Sequence, residues 1–341
     1  MGLWLVDTDT LAGSRFVVSP LAETVACVKV LQSAAAAHPG ERDWLAAQLP
    51  SYRERLAGDP VTALLIRIGL GRPWNADFLT LPPQPPPAGS PAGNRDGERT
   101  FAREVARIRD TAPEAARADL ARSMDGALPA QLDRADLPER AADLLTWVWT
   151  HAVLPSWPQR RRVIEADVIA RTAQLSRGGW AAALNDLRPN TRWLGDGRLR
   201  INAHDYPDRE LPGVQLMFVP VTPKKGWVSW ETPPVAGEQR AEHRYAMVYP
   251  CAGALAEAGR TAAPEALGRL LGTARAGVLV LLDSPKSTTQ LVALTGQPLG
   301  SVGRHLKVLL DARLVQRRRA GRSVLYFRTA AGETLLRAQE T

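Results

Sequence analysis

The sequence predicts a mainly α-helical protein with small β elements, that is, an α+β fold. Apolar residues recur at helical spacing over most of the first 180 positions, and short β-branched and aromatic runs follow between residues 191 and 249. A Pro-rich stretch interrupts the helical part. Because a chain of 341 residues can bury two or more cores, we expect a helical N-terminal domain with a small sheet and a separate C-terminal domain.

Composition along the chain sets the expected domain boundaries. Residues 82–97 read PPQPPPAGSPAGNRDG, which has no apolar periodicity and many positions without a backbone N–H. This stretch predicts a linker or a long surface loop. We therefore expect a helical region at 1–81, a mixed helical and β region at 98–255, and the C-terminal domain at 264–336.

Helix starts in the N-terminal region are marked by a capping side chain followed by proline. Ser-Pro at 19–20 and Asp-Pro at 59–60 both combine an N-cap oxygen with the residue preferred in the first helical turn. Another helix starts at 137–138, breaks at Pro155, restarts three residues later and is predicted to end at 178–179, where two glycines stand together.

Strand patterns follow these helices. Residues 191–201 predict two short strands around a Gly-Asp-Gly turn. The runs at 214–219, 226–231 and 245–249 are rich in β-branched and aromatic residues and predict three more strands. The first 255 residues are therefore mostly helical with a small sheet near their end.

The positive charge is concentrated in the last quarter of the sequence. The chain has 43 basic and 35 acidic residues, a net charge of +8. Only 13 of the basic and 6 of the acidic residues follow residue 255, so this segment carries +7. A basic segment favours acidic partners, and its position selects the C-terminal domain as the place where such a partner binds.

Cysteine usage and the N-terminus predict a cytoplasmic protein. Cys27 and Cys251 are far apart and have no metal-ligand spacing, which is typical of a reducing compartment. The first residues lack the basic segment and long apolar run of an export signal, and no window approaches the roughly 20 apolar residues needed to cross a bilayer.

The C-terminal quarter predicts a winged helix. Two helices are expected at 264–274 and 276–282, and a third at 289–295, with Ser287 and Thr288 offering N-cap oxygens. A Gly-Gln turn leads to a helix that starts at Pro298, and two strands at 314–319 and 323–328 form a hairpin. Two helices joined by a Gly-containing turn form a helix-turn-helix, whose second helix enters the major groove of DNA.

The same segments resemble the ArsR/SmtB group of bacterial transcriptional regulators. The most specific part is Arg304-His305-Leu306-Lys307-Val308-Leu309 followed by Leu-Val at 314–315, and the resemblance covers roughly 264–336. It implies a dimeric regulator that binds double-stranded operator DNA through the winged helix, a repressor rather than an activator. It also implies that the helices at 264–274 and 332–340 form the dimer surface.

The candidate DNA contacts lie on the third and fourth helices and on the wing, with exposed recognition-helix positions facing base edges and basic side chains neutralising phosphates. The candidate set is Ser287, Thr289, Pro298, Leu299, Gly300, Ser301, Gly303, Arg304, Lys307, Arg317, Arg318, Arg319 and Arg322.

The family's metal sites are not expected here. No cysteine follows Cys251, so the thiolate pairs of the family's metal sensors are missing, and the last helix has no histidine. Neither a cofactor nor a metal is therefore predicted. A small organic effector, a protein partner or no ligand remains open.

The N-terminal region offers a candidate ligand pocket. The candidate set is Trp147, Trp149, Trp157 and Trp180; the first three fall around a predicted helix break, and Trp227 and Trp230 in one predicted strand also suggest an aromatic-lined pocket. Tryptophans that only fill a core are the simpler explanation. Residues 9–23 and 157–167 also resemble the long N-terminal extension of some winged-helix regulators from high-GC bacteria. The region is therefore expected to sense a ligand or to support a dimer.

Enzymatic motifs are weak in this sequence. Gly300-Ser301-Val302-Gly303 lacks the first glycine of a nucleophile elbow and falls within a helix, and no phosphate-binding Gly-Lys-Ser/Thr loop occurs. The chain is predicted not to be an enzyme. The alternative to DNA binding is a protein-interaction module that uses the winged helix as a scaffold.

Overall fold

The protein forms two compact units. A computed structural model describes residues 2–37, 39–71, 74–84, 97–124, 127–185, 187–202, 208–211, 214–231, 244–251, 264–282, 285–295, 297–320 and 323–338. The N-terminal unit comprises Met1–Pro158 and Leu184–Pro250, and the C-terminal unit comprises Gln159–Ala183 and Cys251–Thr341. Within the described ranges, every helix is too short or too polar to span a bilayer.

Seven helices of the N-terminal unit precede its main strands. Two of the predicted starts are confirmed by their caps: Ser19 Oγ accepts a hydrogen bond from Ala22 N at 3.0 Å, and Asp59 Oδ1 accepts one from Thr62 N at 3.1 Å. The helices are α1 (Thr8–Gly13), α2 (Pro20–Ser33), α3 (Pro39–Ala57), α4 (Pro60–Leu70), α5 (Gly97–Arg109), α6 (Pro113–Arg122) and α7 (Leu137–Val148).

A long helix, α8 (Trp157–Leu184), connects the units. A π-helical turn at Trp149–Val153 and a 3₁₀ turn at Leu154–Ser156 separate it from α7, which confirms the predicted break at Pro155. The predicted end at 178–179 is confirmed as a break in the helical geometry, which separates two helical stretches. Gly179 has φ 65° and ψ −166°, a conformation open to glycine, and the chain resumes helical geometry up to Leu184.

Two four-stranded sheets complete the N-terminal unit. One has the order β3-β4-β1-β5, and the other has the order β2-β6-β8-β7 with β6 and β8 parallel. The predicted strands are confirmed, and three short ones at Leu3–Val6, Arg15–Phe16 and Arg209–Leu211 were not expected. The strands are β1 (Leu3–Val6), β2 (Arg15–Phe16), β3 (Arg192–Trp193), β4 (Arg198–Arg200), β5 (Arg209–Leu211), β6 (Gln215–Val221), β7 (Trp227–Trp230) and β8 (Arg244–Pro250).

The predicted Gly-Asp-Gly turn between β3 and β4 is confirmed by its backbone. Gly195, Asp196 and Gly197 all have positive φ. A side chain at Gly197 would place its Cβ 2.5 Å from the carbonyl oxygen of Val6, so glycine is required where this turn crosses β1.

Glu104 of α5 is a fully buried acid in the N-terminal unit. One of its oxygens accepts a hydrogen bond from Leu21 N in the first turn of α2 at 2.9 Å. Burial raises the pKa of the Glu104 carboxyl from 4.5 to about 7, while the hydrogen bonds from Leu21 and Ser19 and the charge of Arg107 oppose this rise. The Glu104 carboxyl therefore holds its proton more tightly in the folded protein than in the unfolded chain, and the difference matters at pH values between 4.5 and about 7.

Replacing Glu104 by glutamine is expected to stabilise the protein at alkaline pH. Because the pKa is raised on folding, stability falls as the pH rises through this window, and the full cost is present above about pH 7. At about 1.4 kcal/mol for each unit of pKa shift, the gain at pH 8 is up to about 3 kcal/mol and is much smaller at pH 5. Urea unfolding of the unsubstituted protein and of Glu104→Gln at pH 5 and pH 8 measures the difference in the free energy of unfolding. Equal gains at both pH values would contradict the expectation.

The C-terminal unit contains, besides part of α8, the predicted succession of short helices and a hairpin. A short strand, β9, adds to the hairpin to give a three-stranded sheet of order β10-β11-β9. This confirms the mainly helical α+β fold. The elements are α9 (Glu265–Leu271), α10 (Thr273–Leu281), β9 (Lys286–Ser287), α11 (Thr288–Thr295), α12 (Leu299–Asp311), β10 (Val315–Ala320), β11 (Ser323–Arg328) and α13 (Ala330–Arg337).

Candidate nucleic-acid interface

The first helix of the helix-turn-helix, α11, begins with a reciprocal cap. Gln290 N donates to Ser287 Oγ at 3.2 Å, and Ser287 N donates to Gln290 Oε1 at 2.8 Å. The predicted N-cap role of Ser287 is thereby confirmed. The backbone of Thr289 lies in the first turn of this helix, and its side chain is outside the described set.

The second helix, α12, has one buried and one exposed face. Val302, Leu306 and Leu309 are buried at helical spacing, as the sequence predicts. The carbonyl oxygen of Pro298 accepts hydrogen bonds from Ser301 N and Val302 N, so this proline caps the helix just ahead of its first residue. The exposed face carries Leu299, Gly300, Gly303, Arg304 and Lys307.

Two glycines make the exposed face of α12 shallow. A Cβ placed on Gly300 or Gly303 meets no atom within 4 Å, so packing within the chain does not require glycine at either position. Each glycine costs a helix about 1 kcal/mol relative to alanine. The flanking Leu299 is 61% exposed, and the face therefore combines a narrow backbone ridge with one apolar side chain and two cations.

Ser301 and His305 lie on the flank of this face, one turn apart. The Ser301 hydroxyl lies 3.3 Å from Gln297 Oε1 and 3.3 Å from His305 Nε2. Both residues are half-buried. Gln297, which precedes α12, and His305, one turn further along α12, thus both orient the Ser301 hydroxyl.

The wing presents three consecutive arginines. Strands β10 and β11 pair in a register that places Arg317 opposite Tyr326 and Arg319 opposite Val324. Because successive side chains of a strand alternate, Arg317 and Arg319 lie on one side of the hairpin and Arg318 lies on the other. All three are exposed. Arg322, which was predicted at the tip, lies outside the described residues.

Hydrogen bonds fix the base of the wing to neighbouring elements. Arg328 Nε donates to the carbonyl oxygen of Leu282 at 2.9 Å and lies 3.4 Å from a carboxylate oxygen of Glu333. Thr329 Oγ1 donates to the carbonyl oxygen of Arg313 and caps α13 by accepting from Gly332 N. Arg328, one of the basic residues that contribute to the positive charge after residue 255, therefore has a structural role. Lys286 is a second basic residue of this unit that is buried.

Two of the four tryptophans of the candidate pocket contact each other. Trp149 stacks on Phe101 with centroids 4.8 Å apart and meets the edge of Trp157 at 5.3 Å, and both indoles are buried. Trp147 stacks instead on His151, and Trp180 belongs to the C-terminal unit. A ligand pocket at this set stays a prediction.

Metal-ligating side chains do not cluster in the part of the chain that the structure describes. No group of three or more His, Cys, Asp or Glu residues is arranged there to hold a metal ion. Cys27 and Cys251 are both buried.

A short helix pair with its second helix exposed, followed by a basic hairpin anchored on a last helix, defines a winged helix-turn-helix domain. Residues 278–317, from within α10 to within β10, match the family described as "Bacterial regulatory protein, arsR family". The C-terminal unit therefore carries an arsR-family regulatory domain behind a long N-terminal extension. Comparison with curated proteins gave no match, and neither did comparison with solved structures.

The domain indicates the general role of the protein. An arsR-family helix-turn-helix indicates binding to double-stranded DNA in transcription regulation, and it points to a regulator rather than an enzyme. This agrees with the charge pattern, since the last quarter of the sequence holds +7 of the net +8.

Proposed function

We propose that the protein is a homodimeric, sequence-specific repressor that acts on operator DNA in the cytoplasm. The exposed face of α12 reads base edges, and Lys307 with the wing arginines neutralises phosphates. The N-terminal unit senses a small organic effector or supports the dimer. The observation that carries this proposal is the exposure of Leu299, Gly300, Gly303 and Arg304 on one face of α12, with exposed wing arginines in the same unit.

Binding to the DNA upstream of the protein's own gene tests sequence specificity. We expect a gel shift at physiological salt with this duplex at a concentration about 1,000-fold or more below that needed for a random duplex of equal length, which is the range usual for specific regulators. Equal affinity for the two duplexes would exclude sequence-specific regulation.

Removing two wing arginines is expected to weaken binding to every duplex. The double variant Arg318→Ala, Arg319→Ala removes two exposed cations, and the slope of log affinity against log salt should fall by about one for each phosphate that is no longer neutralised. The matched control is Arg42→Ala, Arg53→Ala, which removes two exposed arginines of α3. An unchanged slope in the wing variant would show that the run is only a solvated edge.

The dimer is expected to form through α9 and α13. Leu270 of α9 is 66% exposed, which leaves a large apolar side chain available to a second copy. A symmetric dimer would bind two half-sites about one helical turn of DNA apart. Sedimentation of Leu270→Glu measures the role of this surface, and we expect a shift toward monomer.

A protein-interaction module is the second candidate function. It is favoured by the apolar residues on α12, where Leu299 is 61% and Val308 is 43% exposed. The gel shift separates the two functions, because an interaction module has no reason to discriminate between duplexes.

A further inference from the structure

The N-terminal unit contains a cavity of about 260 Å³, and of the tryptophans that the sequence analysis considered for a pocket only Trp230 lines it. Its walls include Trp4 of β1, Ile201, and Val228 and Trp230 of β7, and Trp74 stands at it with 42% of its surface exposed. Pockets for small molecules usually measure roughly 300–1,000 Å³ and are mostly apolar. This one is therefore of a size and lining that suit a single aromatic ring with a small substituent.

Arg209 of β5 brings a positive charge to this apolar cavity. It pairs in register with Trp4, and its guanidinium carbon lies 4.6 Å from the centroid of Trp230 and 5.9 Å from that of Tyr245. Among the described residues, none accepts a hydrogen bond from the Arg209 side chain or forms an ion pair with it, although its charge acts on the carboxyl of Asp77 and helps to lower the pKa that burial raises. Stacking and backbone pairing therefore hold Arg209, and Asp77 is an acidic neighbour without direct contact.

Stacking on an aromatic ring does not engage the N–H donors of an arginine. A guanidinium contacts an aromatic ring through its face, whereas its five N–H groups point outward in its plane. That fork matches a carboxylate in a bidentate pair. A charged donor that has no side-chain hydrogen-bond acceptor among the described residues, beside an aromatic wall, is the arrangement that a ring bearing a carboxylate would complete.

We propose that this cavity binds a small aromatic carboxylate, with the ring against Trp4, Trp74 and Trp230 and the carboxylate on Arg209. The inference builds on the proposed sensing role of the N-terminal unit by naming the class of effector and its site. Asp208 also lines the cavity and is exposed. Its charge is opposite to that of Arg209. An anionic ligand is therefore attracted by Arg209 and repelled by Asp208, and a cationic ligand shows the reverse preference.

The test is calorimetric titration of the full-length protein with three probes of one shape. Benzoate carries the carboxylate, benzamide is its neutral counterpart, and benzylammonium carries the opposite charge. We expect benzoate to bind at least tenfold more tightly than benzamide and benzylammonium to bind most weakly. Benzamide or benzylammonium binding as well as benzoate would overturn the proposal.

Two substitutions assign the charge dependence to this cavity. Arg209→Gln should weaken benzoate binding about tenfold or more and leave benzamide unchanged, whereas Asp208→Asn should strengthen benzoate binding several-fold. The matched control is Arg198→Gln on strand β4 of the same sheet, where the side chain is half exposed, pairs with Asp196 and is not among the residues that line this cavity. Benzoate affinity that falls equally in the control and in Arg209→Gln would overturn the assignment.

Separate measurements test the aromatic wall of the cavity and the effect of the ligand on DNA binding. Trp74→Ala removes an exposed ring, so the fold should tolerate it, and it should weaken benzoate and benzamide alike. Unchanged affinity for both would place the ligand elsewhere. A gel shift with benzoate then tests sensing: if benzoate binds but operator affinity does not change, the site stands and the proposed sensing role is wrong.

Discussion

Replacing Gly303 by glutamate is expected to abolish operator binding while leaving the protein folded. A side chain at this position meets no atom within 4 Å, and glutamate favours a helix over glycine by up to about 1 kcal/mol. On the exposed face of α12 the same carboxylate would stand against the negative charge of the DNA groove, and a like-charge contact costs several kcal/mol. We expect affinity to fall at least 100-fold in fluorescence anisotropy, with an unchanged or higher melting temperature.

The control for this change is Gly277→Glu on α10. Gly277 also has open space around its Cβ position, so the substitution adds the same charge and the same helix preference at a site away from the recognition face. DNA affinity should stay within a few-fold of the unsubstituted protein. If both variants lost binding equally, net charge rather than direct contact would govern affinity, and the assignment of the α12 face would be wrong.

Replacing Leu306 by alanine is expected to cost the most stability of the changes considered. Leu306 is 1% exposed in the core of the C-terminal unit, and removing a buried leucine side chain usually costs about 2–5 kcal/mol. The destabilisation should fall on this unit, so that helical signal melts in an earlier, separate transition. Operator binding should disappear over the same temperature range.

Tryptophan fluorescence allows the two units to be followed separately. Nine of the ten tryptophans belong to the N-terminal unit, and Trp180 alone belongs to the C-terminal one. In a Trp180→Phe background the fluorescence transition should be the same with and without Leu306→Ala. The same leucine-to-alanine change at the exposed Leu299 is the control and should alter stability by no more than about 0.5 kcal/mol. If Leu306→Ala lowered the midpoint of the fluorescence transition together with the midpoint of the helical transition, the two units would unfold together.

The winged helix could be predicted from sequence because its determinants are local. A 3.6-residue period places Val302, Leu306 and Leu309 on one side of α12 and thereby assigns the other side to solvent. The wing is a hairpin with a two-residue connection, so its pairing follows from neighbouring residues. The cap of Ser287 on Gln290 is likewise a contact between residues three positions apart.

Features that depend on distant parts of the chain escaped prediction. Strand β1 pairs with β4 and β5, nearly 200 residues later, and β2 has only two residues, so neither has a pattern long enough to recognise. The structural role of Arg328 depends on the carbonyl of Leu282 and on Glu333, which a count of basic residues cannot reveal. The cavity around Trp4 and Trp230 joins residues from both ends of the N-terminal unit for the same reason.

The long helix α8 has a consequence for how a signal could travel. Because Gln159–Ala183 belongs to the C-terminal unit while the residues on either side belong to the N-terminal one, the chain passes between the units three times, after Pro158, after Ala183 and after Pro250. A fragment that begins at residue 264 therefore lacks a helical part of its own unit. Three covalent links, rather than one tether, can carry strain from an occupied N-terminal unit to the DNA-binding one.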